Sequence, residues 1–228
     1  MNKSFVILMS AFAAALTTIA QPYPAGPLTA AYPRRIQDGS LFEMTGYHQQ
    51  KDWTCGPAAC LMVEKYYFPN STLTEAQIEP LVGCTEDMGT ALTGIQAFFS
   101  RPGWTVQVKE NATVDEIEKA IRKGVPTIVG WCDWGGHWCI PVGYDLRKGK
   151  DTFWQDDLII FRDPYDQTDD VVDAYTDFAL WRFNDMWEEY NYITPGRKNS
   201  KLLIVPIPAN PEAHRTAAHA APHILTNP

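Results

Sequence analysis

The sequence predicts an α+β domain, and three observations carry that prediction. Helical periodicity dominates the first half of the chain, between Gly56 and Ser100. Runs of β-branched and aromatic residues, bounded by Gly and Pro, dominate the second half from Trp104 to Val205. Helices come first and strands later with only interspersed helices, which favours a mostly antiparallel sheet over a doubly wound parallel one. The 228 residues are 45% hydrophobic and 12% aromatic, enough for one sizeable core, so a single domain over 36–206 is expected.

The termini stand apart from that domain. Lys3, the uncharged apolar run Phe5–Leu16 and the small residues before Gln21 read as a secretory signal over 1–20, cleaved after Ala20. The run is too short for a comfortable membrane span, which needs about 20 residues. A soluble, secreted or periplasmic product without stable membrane insertion is therefore expected. Residues 21–35 form a Pro/Ala-rich leader, and 207–228 a flexible tail without core residues. A net charge of −8 repels phosphate and no basic run offsets it, so nucleic acid is not an expected partner.

In chain order, a short edge strand is expected around Leu41–Met44. Gly56 to Tyr67 is a helix, apolar over a broad face and stopped by Phe68-Pro69-Asn70. Thr74 caps a short helix through Ile78, limited by Pro80 and Gly83. Leu92, Ile95, Phe98 and Phe99 mark a helix from Thr90 to Ser100, ended by Arg101-Pro102-Gly103. Alternation makes Trp104–Val108 a strand. Thr113 and Glu116 form a capping box for a helix to Arg122, closed by Gly124. Pro126–Cys132 and Trp138–Tyr144 are strands joined at Gly135-Gly136, a two-residue hairpin signal. Leu158–Phe161 is a further strand, ending at Arg162-Asp163-Pro164. The aromatics between Val171 and Tyr190 suggest helical cover, and Leu202–Val205 is the last strand.

Chemistry concentrates between Gln49 and Ala59. Cys55 precedes Gly56-Pro57 and an apolar run, which places a thiol in the first turn of a buried helix with Pro at the first helical position. A helix N-terminus favours the thiolate, so Cys55 is a candidate nucleophile. A small buried residue is the competing reading. A thiolate nucleophile needs an imidazole to carry its proton. Within 36–206 the histidines are His48 and His137. His137 opens a strand and is preferred to His48 in its loop, because rigid elements position catalytic groups better. The imidazole in turn needs an acceptor for its second nitrogen. Asp163, at a strand end before Pro164, is preferred to Asp145, which lies about 26 Å along the strand that His137 begins. Oxyanion donors are the Cys55 backbone N–H and a side-chain amide from Gln49 or Gln50.

These residues resemble a known family. Gln49 through Ala59, then His137-Trp138-Cys139-Ile140-Pro141-Val142-Gly143-Tyr144-Asp145, then Phe161-Arg162-Asp163-Pro164 are similar to the three motifs of the bacteriocin-processing (double-glycine leader) cysteine peptidases and their secreted relatives. The resemblance implies a papain-like fold, with a central helix carrying the nucleophile against a mostly antiparallel sheet. It implies Cys55 as nucleophile, His137 as base, Asp163 as orienter and Gln49, chosen over Gln50 by its spacing to Cys55, as oxyanion donor. Cys139 and Pro141 depart from the family's plain apolar strand, so that strand is expected at an edge or locally irregular.

The remaining cysteines invite pairing in an exported protein, since five thiols leave one over for catalysis. A two-residue hairpin at Gly135-Gly136 sets Cys132 opposite Cys139, which leaves Cys60 with Cys84. No cofactor is expected, and the lack of a Cys-x-x-Cys pair argues against zinc. Trp53, Trp134 and Trp138 crowd the same region as candidates for substrate binding, against the alternative of core packing. The expected activity is hydrolysis of a peptide or amide bond through a thioester at Cys55. The rivals are an acyl or peptidyl transferase, as in the phytochelatin-synthase branch of the clan, and a binding protein on a peptidase fold. Joint presence of Cys55, His137, Asp163 and Gln49 weighs against the last.

Overall fold

Backbone pairing, rather than helix packing, sets the frame that holds the chain's polar residues in place. The structure, a computed structural model, describes residues 25–132, 135–146, 157–167, 169–187 and 200–210. The signal, residues 211–228 with their three histidines, and Trp134 lie outside the described residues, while Ile207 and Pro208 of the expected tail belong to the last strand.

The elements run β1 (Pro27–Leu28), β2 (Gly39–Leu41), β3 (Gly46–Tyr47), α1 (Cys55–Tyr67), α2 (Glu75–Leu81), α3 (Leu92–Phe98), β4 (Trp104–Lys109) and α4 (Val114–Arg122). They continue as β5 (Ile128–Trp131), β6 (His137–Asp145), β7 (Leu158–Arg162), β8 (Tyr175–Ala179), α5 (Leu180–Met186) and β9 (Leu203–Pro208). The α+β prediction holds. Among the described residues every strand pairing is antiparallel, in the order β4-β9-β5-β6-β7-β8, with β2 added on β6. A small β1–β3 ribbon stands beside this sheet.

Helix α1 is buried along nearly its whole length, which explains why its sequence is apolar all round rather than on one stripe. It begins one residue earlier than expected, at Cys55, so Pro57 is its third residue. The missing proline N–H still costs nothing there, because the first four N–H groups of a helix have no intrahelical partner. Local signals elsewhere read correctly. Gln77 and Thr74 cap α2 reciprocally, and the Glu116 carboxylate accepts from the Thr113 N–H at 3.0 Å to start α4.

Two expectations need correction, and a third, that the strand after His137 is at an edge or locally irregular, holds in its second form. The stretch read as helical cover holds a strand first: Tyr175–Ala179 pairs along all of β7, and among its described residues only Leu180–Met186 is helical. The aromatic spacing there mimics a helix, but the open edge of β7 offers a full set of backbone partners, and pairing overrides periodicity. The β5–β6 connection is longer than two residues, since Trp131 faces His137 and Val129 faces Cys139. Strand β6 is not at an edge; it is central and irregular, with a register shift on its β7 side between Pro141 and Gly143. Pro141 also sits where the other neighbour changes from β5 to β2, a position where a missing ladder N–H costs least.

No disulfide joins any of the five cysteines, so both expected pairs, Cys132–Cys139 and Cys60–Cys84, are absent. Cys139 lies opposite Val129 rather than Cys132, so the hairpin cannot be stapled there. Cys84 instead donates its Sγ hydrogen to the Trp53 carbonyl at 3.3 Å. Burial pushes the Cys60 and Cys139 thiols well up and the Cys84 thiol to about 11, which keeps all three protonated and unreactive near neutrality.

Helix α1 is fixed at its start by close packing. A Cβ on Gly56 would meet the Thr90 side chain at 2.5 Å. Gly56→Ala is therefore expected to lower stability by about 1–3 kcal/mol through overpacking, read as a lower urea midpoint, whereas replacement of Gly26, whose Cβ meets nothing within 4 Å, is expected to leave the midpoint in place.

Candidate active site

The site is assembled by β6 and β7 facing the first turn of α1. His137 is the first residue of β6, and Asp163 follows the last residue of β7. Because these strands run antiparallel side by side, the start of one meets the end of the other. His137 Nε2 lies 2.6 Å from Asp163 Oδ1, with both side chains less than a tenth exposed. Asp163 is held in turn by the Tyr165 N–H, which donates to Oδ1 at 2.8 Å, and by the Thr176 side chain. Its own N–H donates to Ala174 O at 2.9 Å. The Trp131 ring packs 5.1 Å from the imidazole, centroid to centroid.

Burial raises the carboxyl pKa of Asp163, but the charge and hydrogen bond of His137 outweigh it and hold the group below its ordinary value. Burial alone would pull His137 down. The Asp163 charge and hydrogen bond overcome that, joined by a hydrogen bond with Cys55, and push the imidazole up to about 10. At neutral pH the pair is an imidazolium on a carboxylate, one nitrogen facing Asp163 and the ring also bonded to Cys55.

Gln49 enters the same cleft from the other side. Its backbone N–H donates to Pro164 O at 2.8 Å, so the Asp163-Pro164 turn directly anchors it. Its Nε2 donates to Lys51 O at 2.8 Å, which fixes the amide's orientation and leaves the second N–H of Nε2 over. The Lys51 carbonyl also accepts from Thr54 N and Oγ1, folding the Lys51–Thr54 turn tightly onto the start of α1. Gln50, by contrast, is exposed, and its Nε2 donates to His48 O.

Cys55, His137, Asp163 and Gln49 thus border one cleft of about 720 Å³. Trp53 and Trp138 line it as well. Trp138 is mostly buried and donates from Nε1 to Thr90 O at 2.8 Å, so it joins the strand wall to the facing loop. His48 is buried with Nδ1 3.0 Å from Gln49 O and does not line the cleft. Asp145 accepts from the Gln37 and Asp38 N–H groups at the other end of β6. Sequence reasoning missed the loop Thr85–Thr90 and the residues Tyr165, Gln167 and Thr176. The only local signal was Gly89, which takes φ 59° to close a tight turn. Among the described residues no group of three or more His, Cys, Asp or Glu is placed to hold a metal ion.

A thiol beside an imidazolium that is locked onto a carboxylate, with amide donors next to it, is an arrangement competent for nucleophilic acyl transfer. The model of the Peptidase_C39 like family matches residues 43–195, more than half of the chain. The chain is similar to a double glycine motif protease from an AMS/PCAT transporter solved with the leader peptide, at 17% identity, covering 80% of this chain and 98% of that one with a TM-score of 0.50. It is similar to the peptidase domain of Streptococcus ComA, at 19% identity over 72% and 97% of the two chains with a TM-score of 0.48. A putative C39-like peptidase from Bacillus anthracis follows at 12% identity, 70% and 92% coverage and a TM-score of 0.47. No curated protein matches the chain. At such identities the likeness concerns the fold, which is papain-like.

Asp163→Asn is expected to lower the pH at which the His137 ring titrates, from about 10 toward or below the ordinary 6.5, read from its Cε1 proton by NMR. A raised histidine pKa stabilises the fold fully below 6.5 and loses that contribution as pH rises through about 10. The wild-type urea midpoint is therefore expected to fall across that window, and the Asp163→Asn midpoint to stay nearly flat.

Proposed function

We propose that this chain, which belongs to the C39-like peptidase family, is a cysteine hydrolase that opens a peptide or amide bond through a thioester on Cys55. The single observation that carries the reading is the convergence of Cys55, a His137–Asp163 pair at 2.6 Å and the buried Gln49 amide on one cleft. Cys55 Sγ attacks the substrate carbonyl carbon as the thiolate, and the carbonyl oxygen becomes an oxyanion. The Cys55 backbone N–H and the second Gln49 N–H are the donors for that charge. As the C–N bond breaks, the imidazolium of His137 gives its proton to the leaving amine, leaving an acyl thioester and a neutral ring. Water then attacks the thioester, His137 takes its proton, and the C–S bond breaks to release the acid and restore the pair. Asp163 holds the ring and its charge throughout without changing protonation.

The neighbours that act on leader peptides support a peptide as substrate here. The signal-like residues 1–20 support action outside the cytoplasm.

Labelling with iodoacetamide at graded pH, with the modified cysteine mapped by mass spectrometry, tests the nucleophile. Cys55 is expected to react at pH 6 far faster than a model thiol, and parity with the model thiol overturns the reading. On a peptide library Cys55→Ala is expected to lose at least about 10⁴-fold in rate. Gln49→Ala is expected to lose about 10²-fold in kcat, and Gln50→Ala to retain wild-type turnover. Release of free acid, rather than transfer to an added amine or thiol, separates hydrolysis from transfer.

A further inference from the structure

Asp52, Glu86 and Asp87 line the cleft, and among the described residues no Lys or Arg does. Asp163 is matched by His137, but the side chains of these three have no hydrogen-bond or ion-pair partner among the described residues. The nearest cation in sequence, Lys51, is held by both oxygens of Glu79 at 2.7 and 2.8 Å.

The three carboxylates converge because two turns meet. Thr85 and Gly89 exchange backbone hydrogen bonds at 3.0 and 2.8 Å, and Met88 N–H donates to Thr85 Oγ1, so Glu86 and Asp87 sit at the tip of a closed turn. Gly89 approaches the Trp53 carbonyl closely enough that a Cβ on it would lie 3.7 Å away, which sets the end of that turn against the residue after Asp52. The charges are thus set on a fixed turn rather than on a free loop. Beside them, Trp53 and the exposed Met88 present apolar surface, suited to the methylene stem of a lysine or arginine.

A second observation points the same way. Gln49 lines this cleft, and its Oε1 is buried without a hydrogen-bond partner among the described residues. Its amide cannot turn over, because Lys51 O requires the nitrogen where it is. An acceptor left buried in this way calls for a donor from a bound molecule.

We propose that Asp52, Glu86 and Asp87 select a peptide segment bearing a lysine or arginine beside the bond that Cys55 attacks. This rests on the hydrolase reading above. Carboxylates lining a concave, partly apolar wall focus their field into it, raising the local concentration of cations and repelling anions.

Two probes test it on the full chain. The first needs no turnover: Cys55 is modified by a cationic and by an anionic methanethiosulfonate reagent, and the rate ratio is compared with that of free 2-mercaptoethanol. The ratio is expected to favour the cation by at least about tenfold over the free thiol. It is expected to collapse in a variant carrying Asp52→Asn, Glu86→Gln and Asp87→Asn. A control carrying Asp38→Asn, Glu110→Gln and Asp185→Asn, none of which lines the cleft, makes the same change in net charge and is expected to keep the preference. The second probe is a proteome-derived peptide library with cleavage sites read by mass spectrometry. Lys and Arg are expected to be enriched within three residues of the cut bond, and the enrichment to vanish in the cleft variant. A free-thiol rate ratio, or an enrichment that survives the cleft variant, overturns the proposal. Retained cationic preference at Cys55 with no peptide cleaved overturns the hydrolase reading and leaves the charged wall standing. A Cys55 that reacts with neither reagent overturns both.

Discussion

A buried charge is tolerable only when it is paired and hydrogen-bonded, and the His137–Asp163 pair is where this fold meets that requirement. Either ion alone, less than a tenth exposed, would shed its charge. Together they hold an imidazolium and a carboxylate, at the cost of tight geometry: a 2.6 Å contact, a second donor from Tyr165 N–H and the Thr176 side chain. The sheet supplies that geometry. Antiparallel pairing of β6 with β7 brings the start of one to the end of the other, and pairing of β7 with β8 delivers Thr176 opposite Phe161, two residues before Asp163.

The pair's surroundings reach across the whole molecule. Arg162, the residue before Asp163, donates to the carbonyls of Asp173 and Ala30 and lies 3.5 Å from the Tyr175 ring centroid. Through Ala30 the N-terminal segment is tied to the residue next to the site. Tyr32 adds a 2.7 Å hydrogen bond to Asp177, and β1 pairs with β3 just ahead of Gln49. This segment therefore braces the back of the site, and none of its described residues lines the cleft.

What was legible in the sequence was what is local. Thr113 with Glu116, Thr74 with Gln77, the apolar run after Cys55 and the Asp163-Pro164 strand end all write their structure within a few residues. The strand argument that set Asp145 aside rested only on rise per residue, and Asp145 does serve the opposite end of β6. What was not legible depends on partners far along the chain. Tyr175–Ala179 carries a helix-like aromatic spacing but answers to β7. The expected Cys132–Cys139 bridge assumed a hairpin length that Trp131 facing His137 rules out. The Gln49–Pro164 and Trp138–Thr90 hydrogen bonds leave no trace in local pattern at all.

Those two long-range bonds explain how three separate motifs become one site. Gln49 N–H on the Pro164 carbonyl fastens Gln49 to the turn that follows Asp163, so its amide and the imidazolium share one support. Trp138 Nε1 on the Thr90 carbonyl fastens the strand after His137 to the loop that packs against Gly56 at the start of α1. Cys55, His137, Asp163 and Gln49 are therefore tied into one cleft by hydrogen bonds that end on the Pro164 and Thr90 backbone carbonyls. Preorganisation of this kind is what an acyl-transfer site requires, because donors held in advance need not reorganise as charge develops on the oxyanion.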